Sequence, residues 1–196
     1  IFIFGIPRSG TTLVETIITS GNEKIHNAGE NFILQKMLQN LQLNKKIYES
    51  EKSISLDISF LRKNIIKSYM KQLSIQSKKF KFIDRTMTNF FFSEILLEIF
   101  PNAKIINCKR DSFHNLVAIY QQCLNNLPWS HKVKDIKKYI SIYNYKLGNL
   151  EKNYSKNILN VELKKLTEYP EDISKEIMSF CKLNWSEKVL KYYERK

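Results

Sequence analysis

The sequence predicts an α/β fold of three layers, α/β/α, with a short, mostly parallel sheet flanked by helices. Short apolar runs alternate with longer amphipathic stretches from one end of the chain to the other. No linker, internal repeat or low-complexity segment breaks that alternation, so residues 1–196 read as a single domain. Glycines are few, yet two of the five fall in one segment, directly after the first apolar run.

The elements follow in order. Ile1 to Phe4 is apolar throughout, as a strand buried on both faces requires. Gly5 to Gly10 interrupts it, and Thr11 to Ser20 resumes as a helix with Leu13, Ile17 and Ile18 on one side, ended by Gly21-Asn22. A short extended piece surrounds Ile25, and Asn31 to Leu43 returns to helical spacing. Asn44 to Ser55 reads as a polar connection, and Ile58 to Leu73 as an amphipathic helix. Phe80 to Ile83 is a strand closed by Asp84-Arg85. Phe90 to Phe100 is a helix stopped by Pro101. Ala103 to Cys108 is a strand closed by Lys109-Arg110-Asp111, and a helix runs from Ser112 to about Leu124. A long helix from about Lys134 to Tyr154, a strand at Ile158 to Val161 and two helices, after Pro170 and after Trp185, complete the chain.

Composition narrows the function classes. No apolar run reaches the roughly 18 residues that a membrane-spanning helix needs. The opening IFIFGIPRSG lacks the basic start and small-residue cleavage site of a secretion signal. With a first residue that already reads as mid-strand and no Met, the chain is expected to be a piece of a longer protein, truncated at both ends, so an upstream targeting segment would not be visible. Cys108, Cys123 and Cys181 are odd in number and lack metal-ligand spacing; they suggest buried apolar roles in a reducing, cytoplasmic compartment. The net charge of +13 admits nucleic acid, anionic lipid or a small polyanion as partner. The lysines, however, stand as scattered pairs (Lys45-Lys46, Lys78-Lys79, Lys137-Lys138, Lys164-Lys165) rather than as a block, so nucleic acid is not expected.

Gly5-Ile-Pro-Arg-Ser-Gly10-Thr11-Thr12 lies between a predicted strand and a predicted helix, the context of a P-loop-like, anion-cradling turn. The spacing matches G-x-x-x-x-G-K-[ST], except that Thr11 stands where the lysine should be. A nucleoside triphosphatase uses that lysine on the β/γ-phosphates and the next hydroxyl on magnesium. Here the only cation in the loop is Arg8, which suits a phosphate better than a γ-phosphate with its metal. The plainer alternative is a tight turn.

With PRSGTT after an apolar strand, the chain resembles the sulfotransferases that use 3′-phosphoadenosine 5′-phosphosulfate (PAPS). The resemblance is to the branch that holds the tyrosylprotein sulfotransferases and bacterial domains often attached to tetratricopeptide (TPR) repeats. It continues in order through Ala28-Gly29-Glu30, Asp84-Arg85-Thr-Met-Thr-Asn89-Phe90, the run from Phe100 to Asp111, Val161-Glu162, Pro170 and Trp185, and so covers nearly the whole chain. It implies transfer of a sulfuryl group from PAPS to an acceptor hydroxyl on a peptidyl tyrosine, a carbohydrate or a small molecule. PAP is the product, and upstream TPR repeats are a possible partner region.

The roles follow from the reaction's demands and from the resemblance together. The attacking oxygen must lose a proton, the SO₃ group must pass in line, and charge on the leaving phosphate must be stabilised, so positioning and fixed positive charge dominate. Sulfate esters carry less charge than phosphates, a metal is not obligatory, and none is expected. The resemblance places Pro7, Arg8, Ser9, Gly10, Thr11 and Thr12 around the 5′-phosphosulfate, with Arg8 on the bridging and sulfonate oxygens. It makes Glu30 the general base; the alternatives are a first-turn acid favoured by the helix dipole, and His26 as base. Arg85 replaces the family's lysine at the carboxyl end of the sheet, where an Asp84–Arg85 ion pair is the plainer reading. Arg110 corresponds to the 3′-phosphate arginine, while Ala118 stands where the family has a serine and Ser112 where it has a proline. Tyr120, Phe90 to Phe92 and Trp129 read as packing residues. The family usually continues past Arg195-Lys196 with a basic segment over the cofactor. The competing functions are a P-loop small-molecule kinase and a non-catalytic PAP-binding module; oligomeric state is not legible.

Overall fold

Phe2–Gly5 forms β1, the central strand, with all four residues buried. The computed structural model describes residues 1–21, 25–40, 58–75 and 80–194, so the polar connection expected at Asn44 to Ser55 lies outside the described residues. β4 (Ile105–Lys109) lies parallel to β1, pairing Phe2 with Ile105, and β5 (Ile158–Glu162) lies parallel to β4. On the other side, β2 (Ile25–Asn27) pairs in parallel with β3 (Lys81–Ile83). That pair joins β1 through a parallel bridge between Phe2 and Asp84, where Ile3 N donates to Asp84 O at 2.9 Å and Asp84 N to Ile1 O at 3.0 Å. The strand order is therefore β2-β3-β1-β4-β5, all parallel. β1 stands where the order reverses, and its carboxyl end opens at the switch point of the sheet.

Alternation along the strands sorts the core into two layers. Phe2, Phe4 and Ile105 face α2 (Ile33–Asn40), α3 (Ile58–Gln72), α4 (Ser93–Ile99), α5 (Ser112–Gln122) and α6 (Val133–Tyr154). Ile3, Ile106 and Cys108 face α1 (Thr11–Gly21), α7 (Leu163–Glu168), α8 (Pro170–Phe180) and the closing 3₁₀ segment Glu187–Glu194. This is the three-layer α/β/α arrangement that the alternation predicts. One polar residue sits inside β4: Asn107 accepts from Tyr143 Oη at 2.6 Å and donates to Asn160 at 2.7 Å, so its burial leaves neither end of the amide unpaired. Burial, and beyond it the neighbouring Cys108, Tyr139 and Glu151, push the Tyr143 phenol well above its ordinary pKa.

Several elements differ from expectation. The helix expected at Phe90 starts as a 3₁₀ turn, Met87–Phe92, in which Asn89 N donates to Thr86 O at 3.0 Å; α4 takes over only at Ser93. Three consecutive phenylalanines favour the helix weakly, and i→i−3 bonding tightens the entry. α7 was not expected: six residues give too short a period to read. The segment after Trp185 is 3₁₀ rather than α, broken at Lys191. Cys108 and Cys181 are buried, and burial pushes the Cys108 thiol up and that of Cys181 to about 11. Cys123, expected inside, is exposed: it caps α5 in the left-handed region with φ 43°. Tyr120 and Phe91, also expected to pack, are 49% and 40% exposed, whereas Phe90 is buried and Trp129 stacks on Tyr139 at 3.9 Å. Among the described residues no helix is long and apolar enough to cross a membrane.

Candidate active site

The loop between β1 and α1 is shaped by two glycines and three tethers. A Cβ on Gly5 would overlap Ser9 Oγ and Thr11 Cγ2 and come within 3.2 Å of Cys108 Cβ, so the loop folds back over the strand end only with glycine there. Gly10 has φ 98°, and a Cβ there would meet Leu163 Cδ1 at 2.8 Å. Arg8 itself is held at φ 70°, a conformation that costs a non-glycine residue roughly 1–3 kcal/mol and that the surroundings must enforce. They do so by hydrogen bonds. Asn115 Nδ2 donates to Pro7 O at 2.6 Å, Arg110 Nη1 donates to Arg8 O at 3.0 Å, and Ser9 N donates to Ile6 O at 3.1 Å.

These bonds refine the expected roles. The Ser9 amide closes the turn rather than facing outward. The first α-helical bond of α1 is Val14 N to Gly10 O at 3.1 Å, so the amides of Thr11, Thr12 and Leu13 precede the ladder and are the donors that this helix start offers an anion. Ser9 is 2% exposed and its hydroxyl, lying against Gly5, has no hydrogen-bond partner among the described residues. A buried, unpaired hydroxyl inside a loop of this shape fits the oxygen of a bound anion. Arg8 is exposed, its side chain available to such a ligand. Arg110 is half-buried, and one of its nitrogens is committed to the loop backbone. Ala118 lies partly buried on α5, and Ser112 is the first residue of that helix.

The second half of the site is built where β2 and β3 end. Their ladder continues past the strands through Ala28 N to Ile83 O at 2.8 Å and Arg85 N to Gly29 O at 3.0 Å, which lays the Gly29-Glu30 turn beside Arg85. Thr86, fully buried, then accepts from Asn31 N at 3.0 Å and Phe32 N at 3.4 Å and pins the exit of that turn; Phe32 has φ 55°. Within this frame Arg85 Nη1 donates to Glu30 Oε1 at 2.5 Å and Arg85 Nε to Glu15 Oε2 at 2.7 Å. Glu30 precedes α2 by three residues, so it is not a first-turn acid. The Asp84–Arg85 pair does not form: Asp84, 1% exposed, accepts from Tyr69 Oη and from Thr86 N instead. Burial and then the Asp84 charge push the Tyr69 phenol far above its ordinary pKa. His26 is exposed on β2, edge-on to Phe80 at 6.4 Å.

The structure thus brings Arg85 and Glu30 together, and it joins Arg110 to the loop that carries Arg8. Two residues of the site were not read from the sequence. Glu15 and Asn115 both lie on inward helix faces, Glu15 three residues before buried Ile18 and Asn115 four before buried Ile119, and a polar residue in an apolar stripe was the available signal. Among the described residues no cluster of His, Cys, Asp and Glu could hold a metal ion.

A parallel sheet with a glycine loop and a helix start at the exit of its central strand defines a P-loop-like α/β domain, and comparison with known proteins gives the class a family. The model described as "Sulfotransferase family" matches residues 1–187, and the chain belongs to that family. It is 28% identical to an uncharacterized protein of Aquifex aeolicus, over 100% of this chain and 27% of that protein. It is 22% identical to the protein-tyrosine sulfotransferase of Drosophila melanogaster, over 99% of this chain and 40% of that protein. The chain therefore spans less than half the length of either relative. Among solved structures, the sulfotransferase domain from the curacin biosynthetic pathway superposes with a TM-score of 0.70 at 16% identity, over 100% of this chain and 77% of that one. Retinol dehydratase in complex with retinol and PAP superposes with a TM-score of 0.52 at 14% identity, over 98% of this chain and 63% of that one. At these identities the superpositions establish the shared fold.

Proposed function

We propose that this chain transfers a sulfuryl group from PAPS to an acceptor hydroxyl, in line and without a divalent ion. One observation carries the reading: at the switch point, a cradle whose lysine position is Thr11 lies in one structure with a carboxylate–guanidinium pair, Glu30–Arg85. Family membership and the PAP of the retinol dehydratase complex support the choice of donor.

The loop amides of Thr11 and Thr12, with their hydroxyls and that of Ser9, hold the 5′-phosphate. Pro7 and Gly10 set the loop's path. Arg8 faces the bridging and sulfonate oxygens, where it neutralises charge that grows as the S–O bond breaks. Arg110 contributes its remaining donors to the 3′-phosphate; with Ala118 in place of a hydroxyl, that phosphate has one donor fewer. Glu30 takes the proton of the acceptor hydroxyl as its oxygen bonds to sulfur, and the bonding pair of the breaking S–O bond stays with the 5′-phosphate of PAP. Arg85 holds Glu30 in place and adds positive charge beside the transferred group.

The test is transfer of radiolabelled sulfate from PAPS, in EDTA, to phenols, tyrosyl peptides and sugars. Label on one of these acceptors is expected, together with thermal stabilisation by PAP. Stabilisation by PAP without transfer to any acceptor indicates a binding module instead. Stabilisation by ATP–magnesium and not by PAP indicates a phosphotransferase.

A further inference from the structure

Resting on the reaction proposed above, we propose that Glu15 is a positioning residue that holds Arg85 by its Nε edge and so leaves Glu30 an oxygen free to take the proton. Arg85 makes one bond to each of two carboxylates, Nε to Glu15 at 2.7 Å and Nη1 to Glu30 at 2.5 Å. A guanidinium facing a single carboxylate frequently bonds it twice, as a fork. Released by Glu15, Arg85 is free to turn its Nε edge to Glu30 and take both of its oxygens, which would leave neither directed at an acceptor hydroxyl.

Glu15 outcompetes Glu30 for that edge because of where it sits. Its side chain is 8% exposed against 48% for Glu30, so water screens the Glu30 pair and hardly screens the Glu15 pair. The other oxygen of Glu15 is buried and has no hydrogen-bond partner among the described residues. An unpaired buried oxygen is destabilising, so the ion pair with Arg85 is what offsets the burial of the Glu15 charge. It also lies on α1, one turn past the cradle, so the helix that presents the anion donors fixes the height of Arg85.

The Arg85 Nε–Hε resonance in the ¹⁵N-labelled protein reads this contact with neither donor nor acceptor present. In the unmodified chain it is expected downfield and protected from exchange. Glu15→Gln is expected to return it toward the free-arginine position and speed its exchange about tenfold, the loss of one charge-assisted bond. Glu30→Gln is expected to leave it in place. Glu15→Met, apolar and similar in volume, is expected to fold and to show the same loss. In transfer assays Glu15→Gln is expected to lower kcat about 30-fold or more with the KM for PAPS unchanged within about twofold. An unmoved resonance in either Glu15 variant, or an unchanged kcat, overturns the proposal. Silence of the unmodified chain in every transfer assay counts against the reaction, while the resonance still decides the contact.

Discussion

The two halves of the site are held by different means. The cradle is a backbone structure: glycine at a close approach, left-handed φ at Arg8 and Gly10, and carbonyls of Pro7 and Arg8 tethered by Asn115 and Arg110. The carboxylate half is a side-chain structure, with Glu15, Arg85 and Glu30 joined by ion pairs and Glu30 half exposed. A shape set by main-chain geometry exists before the ligand arrives. A chain of ion pairs can rearrange when a charged ligand enters. The first half should therefore govern whether PAP binds, and the second whether anything is transferred.

The largest effect should come from removing the loop's own cation. Arg8→Ala is expected to lower kcat/KM by about 10³-fold, as removal of a charge-stabilising group at a transferred anion does, and to weaken PAP binding in calorimetry. Glu30→Gln should separate the halves: kcat down by about 10²–10³-fold, PAP affinity unchanged within about twofold. A parallel loss of both quantities would erase the distinction. Asn115→Ala, which only releases the Pro7 carbonyl, is expected to weaken PAP about tenfold, equivalent to about 1.4 kcal/mol, with kcat at saturation nearly unchanged. Tyr69→Phe strips buried Asp84 of a donor and should lower unfolding stability in urea by about 1–3 kcal/mol.

Near neutral pH the smallest effect is that of pH itself. The Tyr69, Tyr139 and Tyr143 phenols are all pushed up, chiefly by burial. A raised folded pKa gives stability that is complete below the unfolded tyrosine value of about 10 and is lost as pH rises above it. The unfolding free energy from urea titrations should begin to fall above about pH 8, first through the buried Cys108 and Cys181 thiols and then through the phenols, by at most about 1.4 kcal/mol per pH unit for each group. Tyr69→Phe should soften that fall.

The same contrast explains what the sequence disclosed. The cradle is local, a strand, a glycine turn and a helix within twelve consecutive residues, so its spacing stood in plain view. The layered, mostly parallel α/β class was likewise legible in the alternation of apolar runs and helices, whereas the order of the strands appeared only in the structure. Glu30 and Arg85 stood out only through their place in the family's order of motifs, 55 residues apart. Glu15 to Arg85 spans 70 residues and Asn115 to Pro7 spans 108, and no local period encodes such contacts. Asp84 and Arg85 misled for the same reason: neighbours in sequence, they are drawn to distant partners, Tyr69 and Glu15, because β3 ends where α3 and α1 pack. The short α7 and the 3₁₀ turns were hidden by length, since fewer than two turns show no periodicity.

Calorimetric titration of the unmodified chain with PAP in EDTA bears most directly on the claim that a preformed, metal-free cradle holds the nucleotide. One-to-one binding, unchanged when magnesium is restored and weakened in Arg8→Ala, is the predicted result. No heat with PAP, or binding that appears only with magnesium, would contradict it.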